Sequence, residues 1–327
     1  PVPKLFWAVS VLLGIGLWAV VLAPETRSSA VVWLEVMAGA AVIPVLWRAK
    51  ERQQEQLITG LLVGGLLIGA FALLQCSIIF PHLAQLPQAT RVEEAIHEVA
   101  SGRRALGTFP LSNFLAGYLA MLLPMAVGLS RQRLRQWWRW ALAVSCAVVA
   151  GVAFLLTQSL GGFLALLAGS AIALLPHQRT GRLWLSWLVT TTVLMGVLFA
   201  VRPTLRAFAH THNPFRNRLT YWRVTTDVIR EHPLRGAGLG QFHQRYRQLR
   251  PAGAPLVIHA HNCFLEWWAE LGLPGLLAWL WVVWEVLRAA RRTPWLAVAA
   301  WAFVLHNLVD ASLYTSHDGD IHHHDQI

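Results

Sequence analysis

Apolar runs alternate with short basic connections along most of the chain. A run of about 20 apolar residues crosses roughly 30 Å of hydrocarbon as a helix. Nine such runs can be read: Leu5 to Leu22, Ala30 to Trp47, Leu57 to Phe80, Leu111 to Leu129, Trp140 to Leu156, Phe163 to Leu175, Leu183 to Val201, Phe264 to Leu287 and Trp295 to Leu313. The pattern predicts an all-α polytopic membrane protein. Residues 1–201 hold helices one to seven, 202–262 a large loop with short surface helices, 263–313 helices eight and nine, and 314–327 a polar tail. Between the third and fourth runs, VEEAIHEVASG has helical spacing and a Gly stop, which predicts a further surface helix.

Charge sets the orientation. Arg48 to Arg52, Arg131 to Arg139, Arg179 to Arg182 and Arg288 to Arg292 fall on one side of nine alternating spans. Short basic connections mark the cytoplasmic side. The loop at 202–262 is then extracytoplasmic. This loop is the one long polar segment, and it carries ten arginines against Asp227 and Glu231. Long loops escape the charge rule, so orientation alone does not account for them.

Composition agrees with a membrane protein. The chain is 56% hydrophobic and 13% charged, where a soluble domain carries about 25% charge. Its net charge of +11 follows from loop arginines, and no zinc-finger or RNA-binding motif points to nucleic acid. Cys76 and Cys146 sit inside apolar runs and Cys263 at a span edge, which argues against a disulfide framework.

Several polar motifs lie at the predicted outer ends of the spans. They are GTFPLSNFLAGYLAMLLP with Asn113, the TQSLGG turn, Arg218-Leu-Thr-Tyr-Trp222 with Arg223 next, HPLRGAGLGQF, HNCFLEWWAELGLPG, and His306-Asn307-Leu-Val-Asp310. In this order and on this topology they resemble the bacterial O-antigen ligase and polymerase family, over about residues 100 to 313. The resemblance implies transfer of a glycan from a polyprenyl-diphosphate lipid to an acceptor hydroxyl on lipid A core, a growing polysaccharide or a protein. It implies no nucleotide sugar, metal or other cofactor. The expected partners are the lipid-linked donor, the acceptor and membrane lipids.

The residue chemistry suits that reaction. Guanidinium groups bind phosphate in a bidentate manner and stay charged, so they can stabilise a leaving diphosphate. Arg218 and Arg223 are the first candidates, and contact with lipid headgroups is the alternative. Arg235 is next, in a turn whose Gly236, Gly238 and Gly240 could present backbone N–H groups to phosphate. A Gly-rich turn between two surface helices explains the same spacing.

His261 is the candidate base, because an imidazole near neutral pH can take the acceptor's proton. His259 is its rival, and helix capping together with Asn262 is the alternative role. Asn113 and Asn262 are candidate substrate contacts. Arg218, Arg223, His261 and Asn113 are expected to line one cavity.

Glu266 and Glu270 lie one turn apart on the face that also carries Asn262. Asp310 and His306 are expected to share a face likewise. Ionisable groups in spans are costly, and ion pairs or hydrogen bonds are the expected use of these four.

One departure stands out: Leu160 occupies a position where family members often carry Arg. Arg103 or Arg104 could replace it. A bicarbonate transporter is the competing reading, since some relatives are described so. Polar groups at span ends rather than mid-membrane weigh against it. His322, His323 and His324 read as a solvated tail.

Overall fold

The computed structural model describes residues 3–85, 104–130, 136–174, 214–252, 254 and 256–310. Among these the regular structure is helical: α1 (Lys4–Leu22), α2 (Thr26–Arg48), α3 (Glu51–Leu74), α4 (Ser112–Ser130), α5 (Trp137–Thr157), α6 (Leu160–Leu174), α7 (Pro214–Glu231), α8 (Phe242–Leu249), α9 (Cys263–Ala290) and α10 (Pro294–His306). α3 runs on through a π-helical segment, Gln75–Ile79, into Phe80–Leu83. Among the described residues six helices are long and apolar enough to cross a membrane: α1, α2, α3 with its extension, α4, α5 and α9. α6 and α10 are apolar but shorter, at 15 and 13 residues. The predicted seventh span and the VEEAIHEVASG helix lie outside the described residues.

Several boundaries differ from the hydropathy reading. α3 starts at Glu51 and its extension ends at Leu83, beyond the apolar stretch at both ends. Hydropathy detects the lipid-facing part, whereas the backbone ladder continues through ERQQEQ because these residues are good helix formers. α10 stops at His306, and Asn307 to Val309 form a turn. Asp310 therefore does not continue the face of that helix on which His306 lies.

The chain divides into two compact units. The first comprises Pro1–Ala8, Ala38–Asn213 and Trp281–His306. Its core joins Leu115, Leu119 and Leu122 of α4 to Cys146, Ala150, Ala153 and Phe154 of α5. Small residues set the helix spacing, as expected where lipid offers no hydrophobic drive. A Cβ on Gly169 of α6 would lie 2.6 Å from the backbone nitrogen of Ala302 in α10. The Gln75 side chain in the π segment accepts from the Gly107 N–H at 2.7 Å and donates to the Gly107 carbonyl at 2.9 Å.

The second unit comprises Val9–Met37, Pro214–Leu280 and Asn307–Ile327. α7 is amphipathic: Tyr221, Val224, Thr225 and Val228 are buried, whereas Arg216, Arg223, Asp227 and Arg230 are exposed. Its apolar face meets Phe242 and Tyr246 of α8 and Ala269 of α9.

Gly272 interrupts α9 at φ 68° and ψ −174°. Pro274, which has no N–H, leaves the Glu270 carbonyl without its helical donor. The glycine-rich turn supplies the missing partners. Gly238 donates to the Glu270 carbonyl at 3.0 Å, Ala237 to Ala269 at 2.8 Å, and Leu273 donates to Pro233 at 2.9 Å.

Candidate active site

The second unit brings two candidate side chains, Arg218 and His261, onto one buried carboxylate, that of Asp310. Arg218, Tyr221, Thr225 and Val228 follow one another at three- and four-residue steps, so Arg218 begins the inward line of α7. Its Nε donates to the Val309 carbonyl at 2.8 Å. Its Nη2 lies 3.6 Å from Asp310 Oδ2. The other oxygen, Oδ1, lies 3.3 Å from His261 Nδ1. Asp310 is only 2% exposed, whereas Arg218 and His261 each keep 22%. The ring of Tyr221 sits 5.7 Å from that of His261. Burial raises the phenol pKa of Tyr221 more than Arg218 lowers it, and burial pushes Tyr246 up to about 12. Both remain neutral phenols near neutral pH.

The segment that carries His261 is fixed at each step. His261 adopts φ 50°, a left-handed conformation that is uncommon outside Gly and costs energy. Asn262 caps α9: its Oδ1 accepts from the N–H groups of Phe264 at 3.0 Å and Leu265 at 3.1 Å. The N–H of Cys263 donates to the Asn307 carbonyl at 2.9 Å. Glu266 reaches back from the helix, accepting from His259 Nδ1 at 2.7 Å and from the Ala260 N–H at 3.0 Å. Burial lowers the pKa of His259, but Glu266, through charge and hydrogen bond, with Glu270 and Asp310 behind it, reverses the direction and raises it.

The other candidates are placed differently. Five residues turn a helix by about 500°, so Arg223 points roughly 140° away from Arg218 and is exposed. Arg235 is also exposed, with Nη2 3.4 Å from His232 Nδ1. The N–H groups of the three glycines are directed inward rather than presented to a ligand. Gly236 donates to His232, Gly238 to the Glu270 carbonyl, and Gly240 to the Glu270 carboxylate. That carboxylate also accepts from the Phe242 N–H at 3.1 Å. Glycine is needed here for close approach, since a Cβ on Gly236 would lie 2.2 Å from the Glu270 carbonyl oxygen.

Asn113 belongs to the first unit. There it accepts from Arg104 Nη2 at 3.0 Å, and Arg104 Nε donates to the Thr157 carbonyl at 2.9 Å. Arg104 thus lies against the end of α5, three residues before Leu160. Arg103 and the tail histidines lie outside the described residues.

For Asp310 and Glu266 the sequence predicts an ion pair or hydrogen bond but not the partner. The available signal was the cost of an ionisable group at a span end, which flags a residue without naming its partner.

This fold and cluster define a multi-pass helical membrane protein with a histidine–aspartate–arginine constellation beside a basic segment. Residues 145–280 match the family model described as O-antigen ligase, and the chain carries that family's domain there, as its motifs implied. The match takes in Arg218, Arg223, Arg235 and His261, while Asn113 and Asp310 fall outside it. A search of curated proteins finds no match. A domain of this family points to glycan transfer at a membrane.

Proposed function

We propose that the protein transfers a glycan from a polyprenyl-diphosphate carrier to an acceptor hydroxyl at the outer face of the inner membrane. The observation that carries this reading is the sharing of Asp310 between His261 and Arg218. With Asp310 accepting from Nδ1–H, the free lone pair of His261 is on Nε2, the arrangement of a general base. The acceptor oxygen attacks the anomeric carbon and gives its proton to Nε2. The bond from that carbon to the diphosphate oxygen breaks, and the electron pair leaves with the polyprenyl diphosphate. Arg218 stands beside the base and stabilises charge on the departing phosphate. Arg223 and Arg235, both exposed, act as binding cations for the anionic donor.

Transfer by purified protein in lipid vesicles tests the proposal. With a polyprenyl-diphosphate glycan and a panel of acceptors, wild type is expected to form product and His261→Ala to lose at least about 100-fold in rate. Equal rates would remove His261 from the mechanism. Absence of transfer to every acceptor, with bicarbonate flux in the same vesicles, would remove the enzyme reading.

A further inference from the structure

His261 holds a left-handed backbone conformation that is strained for a non-glycine residue, so its neighbours must keep it there. On its C-terminal side the Asn262 cap and the Cys263 to Asn307 bond do this. On its N-terminal side Glu266 does so, 1% exposed and one turn into α9. Oε1 takes His259 and Oε2 takes the Ala260 N–H. Both oxygens are therefore committed to the two residues immediately before His261, from a rigid helical platform.

We infer that Glu266 is a positioning residue for the base: it anchors residues 259 and 260 so that the strained His261 meets Asp310 and presents Nε2 to the acceptor. This rests on the reading of His261 as the base. A carboxylate kept only as the counter-charge of His259 would need its charge. A carboxylate kept as an anchor needs its reach, because the acceptor oxygen must arrive at the Ala260 N–H.

Two substitutions separate reach from charge. Glu266→Gln keeps the length and one acceptor oxygen but removes the charge. Glu266→Asp keeps the charge but withdraws the carboxylate by one methylene. A displacement of about 1 Å in a catalytic group can cost on the order of 100-fold. In the reconstituted transfer assay, kcat for Glu266→Gln is expected within about fivefold of wild type, and for Glu266→Asp about 100-fold lower. The donor KM should stay within about threefold in both, since neither touches the donor. His259→Gln, which removes the charged partner and leaves the Ala260 tie, is expected to stay within about fivefold as well.

The same Glu266→Asp change in a His261→Ala background should leave the residual rate unchanged, because no ring remains to be aimed. The inference is overturned if Asp is more active than Gln, or if His259→Gln alone abolishes transfer in folded protein. It is also overturned if Glu266→Asp lowers the rate by the same factor with and without His261. Lower melting temperatures with kcat per folded molecule intact would equally overturn it. Full activity of His261→Ala would instead overturn the base assignment itself, so the two failures are distinct.

Discussion

At the scale of single residues, the site depends on one buried carboxylate with two tasks. Removing the charge of Asp310 leaves Arg218 without its counter-ion and frees the His261 ring to take either tautomer. Asp310→Asn is expected to cut kcat by about 100-fold or more, by analogy with Asp-to-Asn changes behind other histidine bases. Arg218→Ala should lower kcat on a similar scale. Arg223→Ala, on a different side of α7, should raise the donor KM several-fold with little change in kcat; steady-state kinetics with varied donor separates the two.

A second prediction concerns pH. The folded pKa of His259 is raised, through Glu266 in opposition to burial. Its contribution to stability is thus fully present below the ordinary imidazole value of about 6.5 and is lost as pH rises through the raised folded value. Melting temperature should fall over that range in wild type and fall less in His259→Gln. Tryptophan fluorescence can follow both, with 17 Trp in the chain.

At the scale of elements, most spans were legible because a membrane helix advertises itself by hydropathy. The starts of α1, α4, α9 and α10 lie within a residue of the apolar runs. What hydropathy could not give was the polar opening of α3, which lies beyond the apolar run, or the early end of α10, where the backbone turns to meet Cys263. The candidate site was half legible. His261 and Arg218 carry recognisable chemistry, but their common partner Asp310 is 49 residues from His261, and spacing does not reveal such a contact.

The glycines show a different gap. Their number marked a special turn, yet a sequence does not say which acceptors the N–H groups will find. Here they find α9. Gly236→Ala places a Cβ 2.2 Å from Glu270 O at φ +72°, so it should cost at least about 2 kcal/mol. The expected readout is a lower melting temperature together with loss of transfer per total protein. Gly14, with open space around it, serves as the neutral control.

At the scale of the whole molecule, orientation rests on the arginines of the short connections. Single cysteines introduced in a background lacking Cys76, Cys146 and Cys263 can report it with a membrane-impermeant thiol reagent. Arg235→Cys is expected to label in intact spheroplasts, and Arg291→Cys only after the membrane is opened. The reverse pattern would place the basic segment in the cytoplasm and remove access to an outer-leaflet donor.

The break in α9 bears on how this protein can be divided. At Gly272 and Pro274 the span gives up internal hydrogen bonds, and residues 233–238 of the polar segment take them over. Each side holds donors and acceptors that the other satisfies, and unmet buried groups are costly. The polar segment and the span therefore form one cooperative folding unit. Cut out as a soluble fragment, for immunisation or for solution spectroscopy, residues 202–262 would lack the template on which their central turn is shaped. A minimal fragment has to include α9.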